Sequence, residues 1–212
     1  MNLKLFCAGI ALLTAPFWAR SQGNLQYDQQ SSTNEGLPAY GEGGTMQAFT
    51  APWGQSFTPA FPGVDFIRLM FSDGNVNDGL GATIHVELLS GSISGPIIET
   101  TPQLTMPNLF RGTASFFFPS TVPLTPGTKY YFRPILDSGG TWNIESGSFS
   151  YTGGNAYNNG SISGGGQLWF REGIIVPEPT STALLLIGTA IFLYRRRAQR
   201  QSEFAARTPP RT

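Results

Sequence analysis

Residues 82–89 read Ala82-Thr83-Ile84-His85-Val86-Glu87-Leu88-Leu89, and their alternation decides the fold class. Successive side chains on a strand point to opposite faces. Ile84, Val86 and Leu88 therefore share one face, and Thr83, His85 and Glu87 share the other. The first set is expected in a core and the second toward solvent. This is the pattern of a strand with one face buried and one wet.

Similar runs extend in both directions. Around Val64 the same rule puts Ile67, Leu69 and Phe71 on the core side, with Phe66, Arg68 and Met70 opposite. Strands are expected over 55–58, 64–71, 82–89, 96–100, 113–118, 128–135, 141–145, 148–152 and 167–171. Between them lie turn-rich stretches, including 72–81, 90–95, 119–127, 137–140 and 153–166. The 26 glycines and 16 prolines supply those turns,. No stretch away from the two ends sustains a helical period. Short strands at this spacing predict an all-β antiparallel sandwich.

One turn can be read in detail. Leu124-Thr125-Pro126-Gly127-Thr128-Lys129-Tyr130-Tyr131 pairs the fixed φ of proline with the permissive φ of glycine,. A tyrosine just beyond such a turn can tie the corner with its hydroxyl.

Charge divides the chain. Residues 22–175 carry eleven acidic side chains against five basic ones, Arg68, Arg111, Lys129, Arg133 and Arg171. Residues 195–212 carry six arginines and one glutamate. An acidic domain argues against nucleic acid as a partner, because polyphosphates bind where Lys and Arg cluster. Only 12% of all residues are charged, which is low for a cytosolic globule,. The one cysteine, Cys7, lies in the first apolar stretch.

The two ends read as targeting segments. Residues 1–21 have a positive start, an apolar run from Leu5 to Trp18, and Ala19-Arg20-Ser21, with small residues at −3 and −1 of a cut before Gln22. That order predicts a signal peptide forming an apolar helix. Residues 22–44 are polar and expected to be a flexible lead-in with one edge strand; 45–175 would then be the sandwich ectodomain. Near the other end, Val176-Pro177-Glu178-Pro179 precedes fifteen uncharged residues, 180–194, and then Arg195, Arg196 and Arg197. Fifteen helical residues reach roughly 22 Å. That is short of a typical hydrocarbon core, but snorkelling arginines make a thinned span feasible. A single transmembrane helix over 180–194 is expected. Its arginines would stay cytoplasmic and the bulk of the chain would lie outside. Residues 198–212 follow as a basic cytoplasmic tail.

The stretch Val176 to Arg197 resembles a PEP-CTERM sorting segment. The resemblance implies handling by an exosortase, a membrane-embedded cysteine enzyme that acts near the Pro-Glu-Pro motif. It also implies a Gram-negative host that makes exopolysaccharide. Members usually stop soon after the arginines, whereas here 198–212 continues. The 124–131 corner is similar to part of a fibronectin type III domain, a fold of smaller size. Together with Gly54–Thr58, Tyr151–Tyr157 and Leu168–Arg171, it resembles more closely the jelly-roll-like sandwiches of anchored bacterial proteins.

Chemistry-bearing residues are few. His85, the only histidine, falls mid-strand on the expected solvent face, and no Gly-x-Ser-x-Gly elbow is present,. No catalytic residue is assigned, and the protein is read as non-enzymatic. Paired carboxylates of a glycan-active enzyme would be a spatial arrangement that spacing does not reveal. No cofactor is called for; Ca²⁺ is the single metal candidate. Asp73, Asn75, Asn77 and Asp78 offer oxygen ligands in a Gly-bearing loop, without the glycine and glutamate of an EF-hand. An ordinary Asx turn explains the same residues. Trp142, Trp53 and Tyr157 are the candidate sugar-stacking aromatics, with Trp142 expected near a loop because Gly139-Gly140 and Asn143 flank it. Trp169 is open to either a core or a surface reading. These features predict an exported, membrane-sorted protein of the cell surface or extracellular matrix, associated with exopolysaccharide. The alternative is a carbohydrate-binding module acting through exposed aromatics.

Overall fold

The structure is a computed structural model of the full chain, and it describes residues 23–36, 44–46, 53–164, 166–177, 188, 189, 191, 192 and 194. The signal segment with Ala19 and Ser21, the motif residues Glu178 and Pro179, most of the apolar run, and Arg195 to Arg197 fall outside them. Among the described residues no helix is long and apolar enough to cross a membrane. Gly188, Thr189, Ile191, Phe192 and Tyr194 are helical.

The chain is all-β. Its strands are β1 (Asn24–Gln30), β2 (Gly44–Met46), β3 (Trp53–Phe57), β4 (Gly63–Asp73), β5 (Ala82–Ser90), β6 (Ile97–Thr100), β7 (Leu104–Met106) and β8 (Arg111–Pro123). They continue with β9 (Tyr130–Gly139), β10 (Trp142–Ile144), β11 (Ser146–Gly147), β12 (Ala156–Asn158), β13 (Ser161–Ile162), β14 (Gln167–Leu168) and β15 (Phe170–Val176). Two antiparallel sheets carry nearly all of them. Sheet A runs β1-β15-β4-β10-β2, with β8 on β4. Sheet B runs β13-β12-β3-β9-β5-β6, with β7 also on β5. The short pair β11-β14 stands apart.

The two sheets enclose one core. Ile67, Leu69, Phe71, Phe116 and Phe170 of sheet A meet Phe57, Ile84, Val86, Leu88 and Phe132 of sheet B. The Phe132 and Phe170 rings touch across the gap, with centroids 5.4 Å apart. Ile84, Val86 and Leu88 are fully buried, as their alternation requires. On β4 the expected core set Ile67, Leu69 and Phe71 is also buried, but so are Phe66 and Met70 from the opposite face. Tyr27 and Phe117 pack against Phe66 at 5.7 and 6.1 Å, so β4 is covered on both sides.

The corner at 124–131 behaves as its chemistry predicts. Gly127 takes φ +77°, a conformation with no steric cost only for glycine,. The Thr125 amide donates to the Tyr130 hydroxyl at 3.1 Å. Two segments depart from expectation. Residues 148–152 form no strand; the Phe149 amide turns back to the Gly147 carbonyl at 2.8 Å, and the Tyr151 hydroxyl accepts the Thr58 amide at 3.1 Å. The compact unit runs from Leu25 to Val176, so much of the stretch read as lead-in belongs to it. Strand β1 is indeed at a sheet edge, and Ser31 to Gly36 continue from it as a strap.

Candidate functional site

Three regions gather polar side chains. The first is the outer face of sheet A. Arg68 of β4 and Arg171 of β15 are register partners and point the same way. Glu35 of the strap bridges them, accepting from Arg68 Nη2 at 3.0 Å and Arg171 Nη1 at 2.8 Å. Arg171 also donates to the Ser32 and Thr33 carbonyls, at 3.1 and 2.6 Å. Its guanidinium lies 4.9 Å from the Tyr27 ring and 5.5 Å from the Trp169 ring. The Trp169 indole donates to the Asn34 carbonyl at 2.7 Å. Arg171 and Trp169 hold the strap down, while Arg68 also donates to the Tyr27 and Thr113 hydroxyls at 3.0 and 2.7 Å.

Behind this face, on the inner side of β15, sits Glu172. It is fully buried. One carboxyl oxygen accepts the Gln29 amide at 3.1 Å, and the other has no partner. Burial, then the nearby Asp28 carboxylate, push its pKa up to about 9, so it is neutral at physiological pH. Burial likewise raises the Tyr151 phenol to about 12, and its hydroxyl accepts the Thr58 amide. Asp28 itself caps the turn beneath, accepting the Ala60 and Phe61 amides at 2.7 and 2.8 Å.

The second region is a shallow groove of about 450 Å³ between Gln30–Thr33 and Ser148–Ser150. Hydroxyls and the Phe149 ring line it, without a charged group.

The third is the outer face of sheet B. Period-2 alternation on β9 sends Phe132, Pro134 and Leu136 inward and Tyr131, Arg133, Ile135 and Asp137 outward. On β5, His85 and Glu87 point the same way, paired in register with Ile135 and Arg133. His85 Nδ1 meets Asp137 Oδ2 at 2.7 Å, and its Nε2 lies 3.9 Å from Glu87 Oε1. Glu87 Oε2 accepts from Arg133 Nε, and Arg133 Nη1 donates to the Ile93 carbonyl at 3.3 Å. The result is a continuous row, Asp137-His85-Glu87-Arg133. At its end Tyr131 and Tyr157 meet edge to face at 5.8 Å. The four side chains in the row keep 14–23% of their surface; buried Ile93 borders the row at Arg133, its side chain over Gly54, and the stretch from Glu87 to Asp137 keeps an edge to solvent. Burial, followed by the neighbouring Tyr157, raises the Tyr131 phenol pKa.

The sequence candidates distribute unevenly over these regions. Tyr157 joins the sheet B face. Trp142 does not reach solvent. Its ring is fully buried and stacks on Phe110 at 6.1 Å, so the expectation of a loop-borne sugar platform is corrected. Flanking glycines signalled a loop, but the covering ring comes from 32 residues away, beyond any local pattern. Trp169 proves buried as well. Trp53 is half-buried; its indole donates to the Thr45 carbonyl at 3.1 Å and its ring lies against Gly44.

In the 73–79 loop, Asp73 is buried and turned into the backbone. Its oxygens accept the Asn75 and Leu109 amides, both at 2.9 Å. Asp78 accepts the Leu80 amide at 2.8 Å. The Asn75 and Leu80 contacts are Asx turns, and the Leu109 contact ties Asp73 to the segment that leads into β8,. Among the described residues no group of three or more His, Cys, Asp or Glu is arranged to hold a metal. Glu87, Arg133, Asp137 and Tyr131 were not singled out from sequence. The signal was present in the outward alternation of β9, but only the β5–β9 register makes it a row.

No family model, curated protein or solved structure matches this chain.

Proposed function

We propose that this chain is an exported, membrane-sorted protein of the bacterial cell surface or extracellular matrix, non-catalytic and associated with exopolysaccharide. One observation carries the reading: Pro177-Glu178-Pro179, an uncharged run over 180–194 and Arg195-Arg196-Arg197 follow one another in the order of a PEP-CTERM segment. An exosortase-type enzyme is the processing partner this order implies, and the lipid bilayer is the partner of the run. Strand β15 ends at Val176, and Val176 and Pro177, the first two residues of the motif stretch, are exposed, which supports the reading.

The strand order supports a jelly-roll-like sandwich. Counting β6 and β7 as one strand, the sequence β1, β3, β4, β5, β6–β7, β8, β9, β15 places positions 1-8-3-6 in sheet A and 2-7-4-5 in sheet B. That alternation between sheets is the jelly-roll connection pattern, an architecture that hosts many lectin sites. It serves a surface protein by presenting two broad outer faces on a rigid body.

The test is made on the protein in its native host. Fractionation should place the chain in the envelope or medium. Intact mass should show a start at Gln22, and loss of the residues beyond the Pro-Glu-Pro motif in the sorted form. A reporter joined after Thr212 should stay cytoplasmic. A soluble, intracellular, full-mass chain would overturn the reading.

A further inference from the structure

We propose that the outer face of sheet B binds a neutral, hydroxyl-rich polysaccharide along the row Tyr157-Tyr131-Arg133-Glu87-His85-Asp137. The inference deepens the exopolysaccharide association proposed above and rests on it for the biological ligand, though not for the chemistry.

Four features of the face converge. The first is composition. The row combines carboxylates, an imidazole and a guanidinium, which together accept and donate hydrogen bonds, as vicinal hydroxyls require. The second is its aromatic end. The Tyr131–Tyr157 pair supplies apolar ring surface with a polar tip, suited to a sugar's C–H face,. The third is length. From Tyr131 to Asp137 the row follows six strand intervals, roughly 20 Å at the usual rise, enough to run beneath several sugar units. The fourth is rigidity. All six side chains stand on strands, and ion pairs or ring contact fix their positions, so little ordering cost remains at binding,.

Charge selects the class of ligand. Glu87 is already paired with Arg133, and Asp137 with His85. No guanidinium or ammonium in the row is left over to neutralise a uronate or sulfate, and two carboxylates face one arginine. The surrounding domain is acidic too. A polyanion would be repelled, whereas a neutral glycan offers hydroxyls to Asp137 and Glu87 without that cost. The groove at Ser31 and Phe149 also lacks charge, but it has no comparable row of fixed donors and acceptors.

The experiment is affinity electrophoresis of the purified full-length chain, in mild detergent, through gels containing galactomannan, dextran or, as the anionic contrast, alginate. Retardation is expected in at least one neutral gel and not in alginate. Tyr157→Ala and Asp137→Asn should each weaken the retardation constant about tenfold. Tyr27→Phe, on the other sheet, should leave it unchanged. Near-UV circular dichroism establishes that each variant is folded, and the conservative Asp137→Asn carries the test if Tyr157→Ala is not. Retardation by alginate alone, by no polysaccharide, or equally in wild type and the two sheet B variants overturns the proposal. Localisation is read separately by the reporter and mass experiment, so failure of either reading leaves the other visible.

Discussion

The two outer faces of the sandwich are built from the same parts and come to opposite ends. On sheet A, two arginines, a glutamate, a tyrosine and a tryptophan interlock. On sheet B, an arginine, a glutamate, an aspartate, a histidine and two tyrosines do so. The difference is a cover. The Ser31–Gly36 strap lies over the sheet A cluster, leaving Arg171 only 8% exposed. On sheet B the turn bearing Ile93 reaches the Arg133 end alone: its carbonyl accepts from Arg133 and its side chain lies over Gly54, while the side chains of Asp137, His85 and Glu87 keep 22, 16 and 14% of their surface. A charged network under a cover cements chain to chain, because removing one partner strands the others away from water. An uncovered network of similar chemistry adds little stability and remains free to meet a ligand.

The comparison can be broken at its hidden point first. Glu172 lies under the sealed side, with a folded-state pKa of about 9 against an ordinary 4.5. The folded state therefore holds this proton more tightly than the unfolded chain. That stabilisation is complete below the ordinary value, shrinks as pH rises, and is gone above the folded value. Chemical denaturation should show stability falling toward alkaline pH, with a limiting slope on the order of 1.4 kcal/mol per pH unit. Glu172→Gln should flatten the profile and be more stable than wild type at pH 8. A profile unaffected by the substitution would mean that the carboxyl reaches water.

The next largest effect is expected from the cover's anchor. Arg171→Ala should cost about 3 kcal/mol, since it removes the cation stacked on Tyr27 and Trp169 together with the contacts to Ser32, Thr33 and Glu35. Limited proteolysis should then cut between residues 31 and 36, where the wild type resists. Glu35→Gln is milder, at about 1 kcal/mol, because the carboxylate is more than a third exposed and an amide oxygen still accepts from one arginine,. The smallest effect belongs to the open side. Asp137→Asn should change stability by less than about 1 kcal/mol while weakening glycan retardation. If Asp137→Asn destabilised the fold as much as Arg171→Ala, the distinction between sealed and open faces would fail.

The chain's own pattern carried the core a long way. The alternation in 82–89 identified Ile84, Val86 and Leu88, and the Pro126-Gly127 corner with its tyrosine tie was readable because every participant lies within six residues. Where the covering group is remote, the pattern misled. Phe66 and Met70 obey alternation and point outward, yet they are buried, because Tyr27 and other distant residues cover that face. Trp142 carried local marks of a loop and lies under Phe110. The strap looked like polar lead-in, since its reason for order, Arg171, is 136 residues away from Glu35.

By itself the sequence determined what each short stretch had to do: which side chains turn inward, where the chain must bend, how charge divides between domain and tail, and the order of motif, apolar run and arginines. These follow from interactions a few residues long, set by the two-residue period of a strand, the φ limits of Pro and Gly, and the need of charge for water. The tertiary structure alone decided which outward-facing polar set is sealed and which is open, and which carboxylate must keep its proton. Those outcomes depend on whether a segment distant in sequence settles over a face and removes its water, and desolvation is a property of the assembled sandwich, not of any local run of residues.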